Sequence, residues 1–387
     1  MLKVTLWVLA ALAVVAGALF ALAYARTDTY LGRWFAWRAS DVSDVQRFDS
    51  RPIQASTQPQ PFSAALRPLG NGRIAYTWRG SEREQELGTL LEETGTSAFV
   101  VINDGVVATE WYGPGHTRDA QVTSFSVAKS VTALLVMAAV EDGLIRSLDD
   151  SLTAYLPELR EVDAGYDSVT LRHLLDMRSG IRFRDHDLPW GDKARVYYEP
   201  HLRELVMTLP LVAEPGMDFA YNSYNPVLLG LVLERATGME PARYLEQRLW
   251  QPLGAEYAAT WSVSRAGETL PKMESGINAA AIDFVKLGVA MLEGAVPGGP
   301  VQLVENLRAE AELIDPAQSD GLRYGLGWWV YPATNGRSFA VAGTGHLGQY
   351  LFVYPDEGVV IARFGDRFGD VDSWRVVFDQ VVGLSVD

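Results

Sequence analysis

Residues 126–140 read Ser-Val-Ala-Lys-Ser-Val-Thr-Ala-Leu-Leu-Val-Met-Ala-Ala-Val, and this stretch carries the most information about the fold. Beyond Lys129 it is apolar on almost every face, and Gly143 follows it as a typical helix-terminating residue. A helix that is apolar all round belongs in the core of a globular protein. We therefore predict a buried helix over residues 126–141, with Lys129 as its only cation, one turn from the start.

Ser126 and Lys129 are three residues apart, so a helix places both side chains on one face. Burial disfavours the charged form of a lysine and lowers its pKa. A neutral amine beside a serine hydroxyl is a general base next to a nucleophile. The unpaired N–H groups at a helix start can also stabilise an oxyanion. The alternative is structural: Ser126 caps the helix and Lys129 extends to solvent.

Two further segments carry candidate site residues. Tyr221 lies in the polar stretch 215–223, before a predicted helix at residues 226–236, and a phenol there could exchange protons with Lys129. Residues 343–349 read Gly-Thr-Gly-His-Leu-Gly-Gln between two predicted strands, where small residues leave room for a substrate against the backbone. Taken alone, Tyr221 could be a packed ring and residues 343–349 a simple glycine turn.

In this order the three segments resemble the serine β-lactamase and penicillin-binding-protein family. Other runs look like its class C-related branch, which includes esterases, D-aminopeptidases and, closest in appearance, 6-aminohexanoate-dimer hydrolases. These runs are Leu-Leu-Asp-Met-Arg-Ser-Gly at residues 174–180, Pro-Gly at 215–216, Tyr-Gly-Leu-Gly-Trp-Trp at 324–329 and Gly-Gln-Tyr at 348–350. The resemblance covers the chain from about residue 80 to its end.

The resemblance implies a two-step acyl transfer. Ser126 would be the nucleophile, and Lys129 and Tyr221 would take up and deliver protons. The substrate would be a small amide or ester, and the chemistry would need no metal and no organic cofactor.

The chain departs from the family pattern at the residues that would bind the substrate. The usual Tyr-x-Asn reads Tyr-Asn-Ser here, so Ser223 stands where an asparagine commonly contacts the substrate amide. The Lys-Thr-Gly or His-Thr-Gly strand motif is also degraded: it corresponds either to Gly343-Thr344-Gly345 or to a strand aligned through His346 and Leu347. We therefore expect weak recognition of β-lactams. The second oxyanion N–H would come from His346 or Leu347, and the sequence leaves both open.

The order of predicted elements defines the fold class. A helix is predicted at 84–93. Strands are predicted at 97–103 and 106–112 and again between residues 325 and 364, and further helices lie between these two groups of strands. We therefore predict an α/β (α+β) fold in which both chain ends form one antiparallel sheet with flanking helices and an inserted all-helical lobe. The proposed domains are residues 1–25, a membrane anchor or signal peptide; residues 26–75, an extended linker; and residues 76–387, the hydrolase domain.

Residues 4–24 form an apolar run without a charge. About 20 apolar residues can cross a bilayer as a helix, and Trp34, Phe35 and Trp37 follow where an interface would lie. An uncleaved anchor is favoured over a cleaved signal peptide, although residues 23–25, Ala-Tyr-Ala, resemble a cleavage site. We accordingly expect a membrane-anchored protein with an extracytoplasmic, periplasmic catalytic domain, secreted if cleaved.

Composition and motifs exclude several classes of function. The net charge of −15 disfavours nucleic acid as a partner, and the absence of cysteine excludes thiolate chemistry. No Gly-x-Ser-x-Gly and no His-Glu-x-x-His occurs, so neither a nucleophile elbow nor a zinc-protease site is indicated. The remaining alternative to an enzyme is a membrane-anchored binding or cell-envelope protein on the same fold. The sequence does not indicate an oligomeric state.

Overall fold

The structure, a computed structural model, describes residues 26–65, 72–293, 303–312, 322–333 and 338–386, and the single positions 5, 7, 15, 17 and 21. In chain order the strands are β1 (Ser50–Ile53), β2 (Ser63–Ala64), β3 (Arg73–Trp78), β4 (Ser81–Glu86), β5 (Thr96–Asn103), β6 (Val106–Tyr112), β7 (Gln121–Thr123), β8 (Ala259–Ser262), β9 (Ile277–Ala280), β10 (Arg323–Gly325), β11 (Trp328–Tyr331), β12 (Ala340–Gly345), β13 (Gln349–Tyr354) and β14 (Val359–Gly365). The helices are α1 (Tyr30–Trp37), α2 (Leu87–Glu93), α3 (Val127–Glu141), α4 (Leu171–Leu175), α5 (Asp192–Tyr198), α6 (Leu202–Val206), α7 (Tyr224–Thr237), α8 (Pro241–Leu245), α9 (Ala281–Leu292), α10 (Leu303–Glu312) and α11 (Trp374–Val386).

Both ends of the chain contribute strands to the main sheet. Its order is β10-β11-β12-β13-β14-β5-β6-β2, and neighbours are antiparallel except for β2, which runs parallel to β6. The strands from the two ends of the chain meet where β14 pairs with β5, for example Ile361 with Val101. A second sheet has the order β1-β8-β9-β7, and β3 pairs with β4 alone. The predicted antiparallel sheet made from both chain ends is confirmed.

Alternation along β5 separates the core into two layers. Val100 and Ile102 point into the larger core with the helical lobe, whereas Phe99 and Val101 pack with α2 and α11 on the other face. The turn between β5 and β6 consists of Asp104 and Gly105 with φ of +47° and +74°. Two positive φ values are what a tight antiparallel hairpin requires, which explains the Asp-Gly pair.

The inserted lobe contains the central helix. Helix α3 is buried from Val127 to Ala139, as its apolar sequence predicts, and packs on α7 and on β12. It therefore lies at the junction of lobe and sheet. Any side chain at its start is placed between the two parts of the fold.

Two segments differ from the sequence-based prediction. Residues 84–86 belong to β4 rather than to a helix, because they pair with β3 over the register Arg73 to Glu86. The segment predicted as an extended linker contains α1 and a 3-10 helix at Val42–Gln46, and β1 joins β8. Residues 66–71 of that segment lie outside the described residues.

The expectation of a membrane-anchored protein is corrected. Among the described residues no helix is long and apolar enough to cross a bilayer, and the run at residues 4–24 lies almost wholly outside them. Trp34 and Trp37, expected at a membrane interface, instead pack in a cluster with Phe48 and Tyr198. Packing against one another removes the apolar surface of these aromatic rings from water within the protein.

Candidate active site

Ser126 lies immediately before α3. The preceding residue, Phe125, has φ +40°, a left-handed conformation that is costly for a non-glycine residue and occurs preferentially at functional sites. In the described structure the Ser126 side chain makes no capping hydrogen bond to the helix. Its hydroxyl faces Lys129 instead.

The amine of Lys129 is buried beside that hydroxyl. Its Nζ lies 2.7 Å from the Oγ of Ser126, and the residue is only 3% exposed, so it does not extend to solvent. Burial lowers the pKa of Lys129 to about 7; the charge of Lys272 adds to this, whereas the Glu274 and Asp185 carboxylates oppose it. A large fraction of the amine is therefore neutral near pH 7 and able to take a proton from Ser126.

A buried ion pair lies behind Lys129. The Nζ of Lys272 is 3.0 Å from the Oε1 of Glu274, and the two side chains are 1% and 3% exposed. Lys272 also donates to the backbone oxygen of Tyr197 over 2.7 Å and lies 4.6 Å from the centre of its ring. Removing one member of such a pair leaves the charge of the other buried and uncompensated. Lys272 and Glu274 have opposite effects on the pKa of Lys129, so replacing either one changes that pKa.

Aromatic rings hold Tyr221 in place. Trp329 stacks on it with centroids 5.6 Å apart and planes at 21°, and Tyr324 meets it edge-on at 5.5 Å. The Nζ of Lys129 lies 5.1 Å from the centre of the Tyr221 ring. Burial raises the pKa of Tyr221, although the Ser126 side chain acts to lower it, so at neutral pH Tyr221 is a protonated phenol. It can pass a proton on without becoming a stable anion.

Two glycines let β12 lie directly against the start of α3. A Cβ at Gly343 would be 3.0 Å from the Oγ of Ser130, and one at Gly345 would be 2.5 Å from the backbone oxygen of Ser124. Side chains at these positions would push the strand away from Ser126. Close packing therefore explains the small residues of β12.

His346 and Leu347 lie in the turn from β12 to β13. The N–H of Gly348 donates to the oxygen of Gly345 over 3.2 Å across this turn, and Leu347 has φ +61°. The ring of His346 is 5.4 Å from that of Phe125, the residue before Ser126. Burial, the largest cause, and the charge of Lys193 lower the pKa of His346, which keeps its ring neutral at neutral pH.

Ser223 lies directly before α7, and its side chain is largely buried. Its neighbour Asn222 is turned inward: the Nδ2 donates to the backbone oxygen of Ile181 over 3.0 Å, and the Oδ1 accepts from the N–H of Tyr224 over 2.9 Å. Of the two residues, Ser223 is therefore the one that faces the site.

A cavity of about 820 Å³ connects these residues. Of the residues predicted from the sequence, its lining includes Ser126, Lys129, Tyr221, Ser223 and His346, while Gly345 and Leu347 belong to the adjoining strand and turn. The lining also includes residues whose place at the site the sequence did not predict: Trp34, Phe35, Arg38, Ala39, Ser40, Phe125, Glu274 and Ser275. No group of three or more histidine and acidic side chains in the described residues is arranged to hold a metal ion.

Comparison with known proteins identifies the family. The family model described as β-lactamase matches residues 84–381, which is more than half of the chain. The chain belongs to the β-lactamase family. Within it, the 6-aminohexanoate-dimer hydrolase of Paenarthrobacter ureafaciens is 31% identical over 304 residues, covering 73% of this chain and 75% of that protein.

A second protein is similar to this chain in sequence, and a solved structure is similar to it in fold. The lovastatin esterase of Penicillium rubens is 30% identical over 205 residues, covering 47% of each chain. A Bacillus anthracis structure assigned as a 6-aminohexanoate-dimer hydrolase superposes with a TM-score of 0.73 at 21% identity, covering 87% of this chain and 90% of that one. The resemblance read from the sequence is confirmed, and the chain is a serine hydrolase of the β-lactamase family.

Proposed function

We propose that this chain cleaves a small amide or ester through a covalent acyl-enzyme on Ser126. The observation that carries the proposal is the 2.7 Å separation of the Lys129 Nζ from the Ser126 Oγ. Burial brings the pKa of that amine to about 7, which is the range in which a general base works best at neutral pH. A lysine that only filled space or reached solvent would need neither feature.

In the acylation step, the Oγ of Ser126 attacks the substrate carbonyl carbon while its proton moves to the Nζ of Lys129. The carbonyl oxygen becomes an oxyanion, which the backbone N–H of Ser126 and an N–H from His346 or Leu347 would hold. The bond to the leaving amine or alcohol then breaks. The proton on Lys129 reaches the leaving group through the phenol of Tyr221, whose ring centre lies 5.1 Å from the Lys129 Nζ.

In the deacylation step, water replaces the leaving group. Lys129 with Tyr221 takes a proton from the water, whose oxygen attacks the acyl carbon. The bond from that carbon to the Oγ breaks, and the proton returns to Ser126. The carboxylic acid product then leaves, and no metal or organic cofactor enters either step.

Amide and ester substrates are both supported by relatives, one named for an amide dimer and one for an ester. β-Lactams are a poor expectation for this chain. Ser223 has a shorter side chain than the asparagine usual in the family, and Gly343 leaves the strand motif without its cation. The strand beside Ser126 therefore lacks the cation that would bind a penicillin-like carboxylate, and the cations Arg38 and Lys193 line other parts of the cavity.

The test is labelling by a fluorophosphonate, followed by intact mass and peptide mapping. We expect one adduct on Ser126, its loss in Ser126→Ala and slow labelling in Lys129→Ala. Ser130→Ala is the matched control, because this serine lies in the same helix but donates to the backbone oxygen of Gly327 over 2.7 Å. A folded wild-type protein without an adduct would refute the proposal and favour a non-enzymatic binding role.

A further inference from the structure

Part of the catalytic cavity is made by residues that precede the family domain. Trp34, Phe35, Arg38, Ala39 and Ser40 line the cavity together with Ser126 and Lys129. The family match begins only at residue 84. We call residues 34–40 the N-terminal wall. A wall outside the matched domain can differ between relatives without altering the machinery at Ser126.

Specific hydrogen bonds attach the N-terminal wall to the helical lobe. The indole N–H of Trp34 donates to the backbone oxygen of Asp187 over 2.9 Å. On the other side, the hydroxyl of Tyr198 donates to the backbone oxygen of Arg38 over 2.7 Å. Tyr30, at the start of α1, donates to the backbone oxygen of Pro189 over 3.0 Å. These contacts fix the wall at both ends.

Packing behind the wall adds to this attachment. Trp37 meets Phe48 edge-on at 5.2 Å and Tyr198 at 6.0 Å. The guanidinium of Arg33 lies 5.0 Å from the centre of the Trp37 ring and donates to the backbone oxygen of Ser264 over 2.5 Å. Within the N-terminal wall, Trp37 therefore packs against the rest of the protein, whereas Trp34 and Phe35 line the cavity.

Aromatic side chains form about a third of the cavity lining. Besides Trp34 and Phe35, the aromatic lining consists of Phe125, Phe183, Tyr197, Tyr198 and Tyr221. A pocket of about 820 Å³ is large enough for a drug-sized ligand. Its aromatic faces favour an apolar chain or ring over a hydrated group.

We propose that Trp34 and Phe35 determine substrate specificity by packing against an apolar chain or aromatic ring on one side of the scissile bond. This proposal rests on the proposed function at Ser126 and adds the substrate class. Each buried methylene contributes about a fourfold gain in kcat/KM when it contacts such a wall. The full chain should accordingly prefer longer apolar substrates to acetyl ones.

The experiment compares kcat/KM for p-nitrophenyl acetate and octanoate, and for methyl and octyl acetates. In Trp34→Ala and Phe35→Ala, we expect the long-to-short ratio of at least one series to fall by about fivefold or more, while acetate cleavage stays within about twofold. Trp78→Ala is the control, since it removes an indole that lies on β3 and does not line the cavity. Its ratio should not change.

Folded Trp34→Ala and Phe35→Ala variants with wild-type ratios in both series would overturn this proposal while leaving the Ser126 mechanism intact. If the wild type cleaves no ester and forms no Ser126 adduct, the proposed function fails instead. Calorimetric binding of N-methyloctanamide to Ser126→Ala then tests the wall alone: binding that Trp34→Ala and Phe35→Ala weaken supports it, and unchanged or absent binding overturns it.

Discussion

Lys129 donates a hydrogen bond of 3.0 Å from its Nζ to the backbone oxygen of Glu274. In the neutral amine this bond occupies one hydrogen, and the lone pair is left to accept from the Ser126 hydroxyl 2.7 Å away. The side chain of Glu274 has a separate effect, because its carboxylate pairs with Lys272 and opposes the loss of charge on Lys129. Glu274 thus orients the Lys129 amine through its backbone and influences the pKa of that amine through its side chain.

The first prediction concerns pH. Because Lys129 must be neutral to act as a base, the rate of Ser126 labelling should rise as pH increases through about 7, the pKa that burial gives Lys129. The check is the second-order rate of fluorophosphonate labelling between pH 5 and 10. A rate that rises only above pH 9 would mean that burial does not lower the pKa of this amine.

The second prediction concerns the buried pair behind Lys129. Glu274→Gln removes an anion that raises the Lys129 pKa, so the labelling profile should move to lower pH by up to about one unit. Lys272→Met removes a cation that lowers this pKa and exposes Lys129 to an unpaired Glu274, so the profile should move to higher pH. Shifts in the same direction for both variants would contradict the prediction. Circular dichroism serves as the control for folding, because breaking a buried pair costs about 3–5 kcal/mol.

The third prediction concerns stability. Lys129 has a folded-state pKa of about 7 against an unfolded value of 10.5, so the unfolded chain binds more protons between these values and the burial cost is largest below pH 7. Lys129→Met should therefore have a free energy of unfolding about 1–4 kcal/mol larger than the wild type at pH 6, although the variant loses activity. This gain should shrink as pH rises towards 10. Urea titrations at pH 6 and pH 9.5 measure it, and a loss of stability at pH 6 would refute it.

The fourth prediction concerns the approach of β12 to the nucleophile. Gly345→Ala places a Cβ 2.5 Å from the backbone oxygen of Ser124, so the strand must move away. We expect about a 10–100-fold loss of kcat and a destabilisation of about 1–3 kcal/mol. Gly88→Ala is the control, because a Cβ there meets nothing within 4 Å. This variant should keep full activity, and its free energy of unfolding should increase by about 0.5 kcal/mol. Equal activities of the two variants would contradict the expected displacement.

The sequence predicted those parts of the site that local spacing determines. Ser126 and Lys129 share one turn of a helix. Tyr221 lies far from them in the chain and is assigned through the family resemblance, and the structure places its ring beside Lys129. Contacts formed by distant segments could not be read in this way. Glu274 contributes a backbone oxygen, which leaves no side-chain signal, and the aromatic run at Trp34 favoured a membrane interface over a cavity wall. At residues 84–86, pairing with β3 outweighed a local pattern that favoured a helix.

The pairing of β14 with β5 also has a consequence for how the protein is made. Ile361 and Val101 are partners in the centre of the sheet. The ribosome must therefore synthesise some 260 residues after β5 before β14 can pair with the open edge of β5. At about 5–20 residues per second this takes roughly 10–50 s. During that time the hairpin β5–β6 exposes both unpaired backbone groups and apolar side chains, the combination that promotes aggregation. Production of this chain should therefore depend on chaperones and improve at low expression rates, and truncation before β14 should leave an insoluble product.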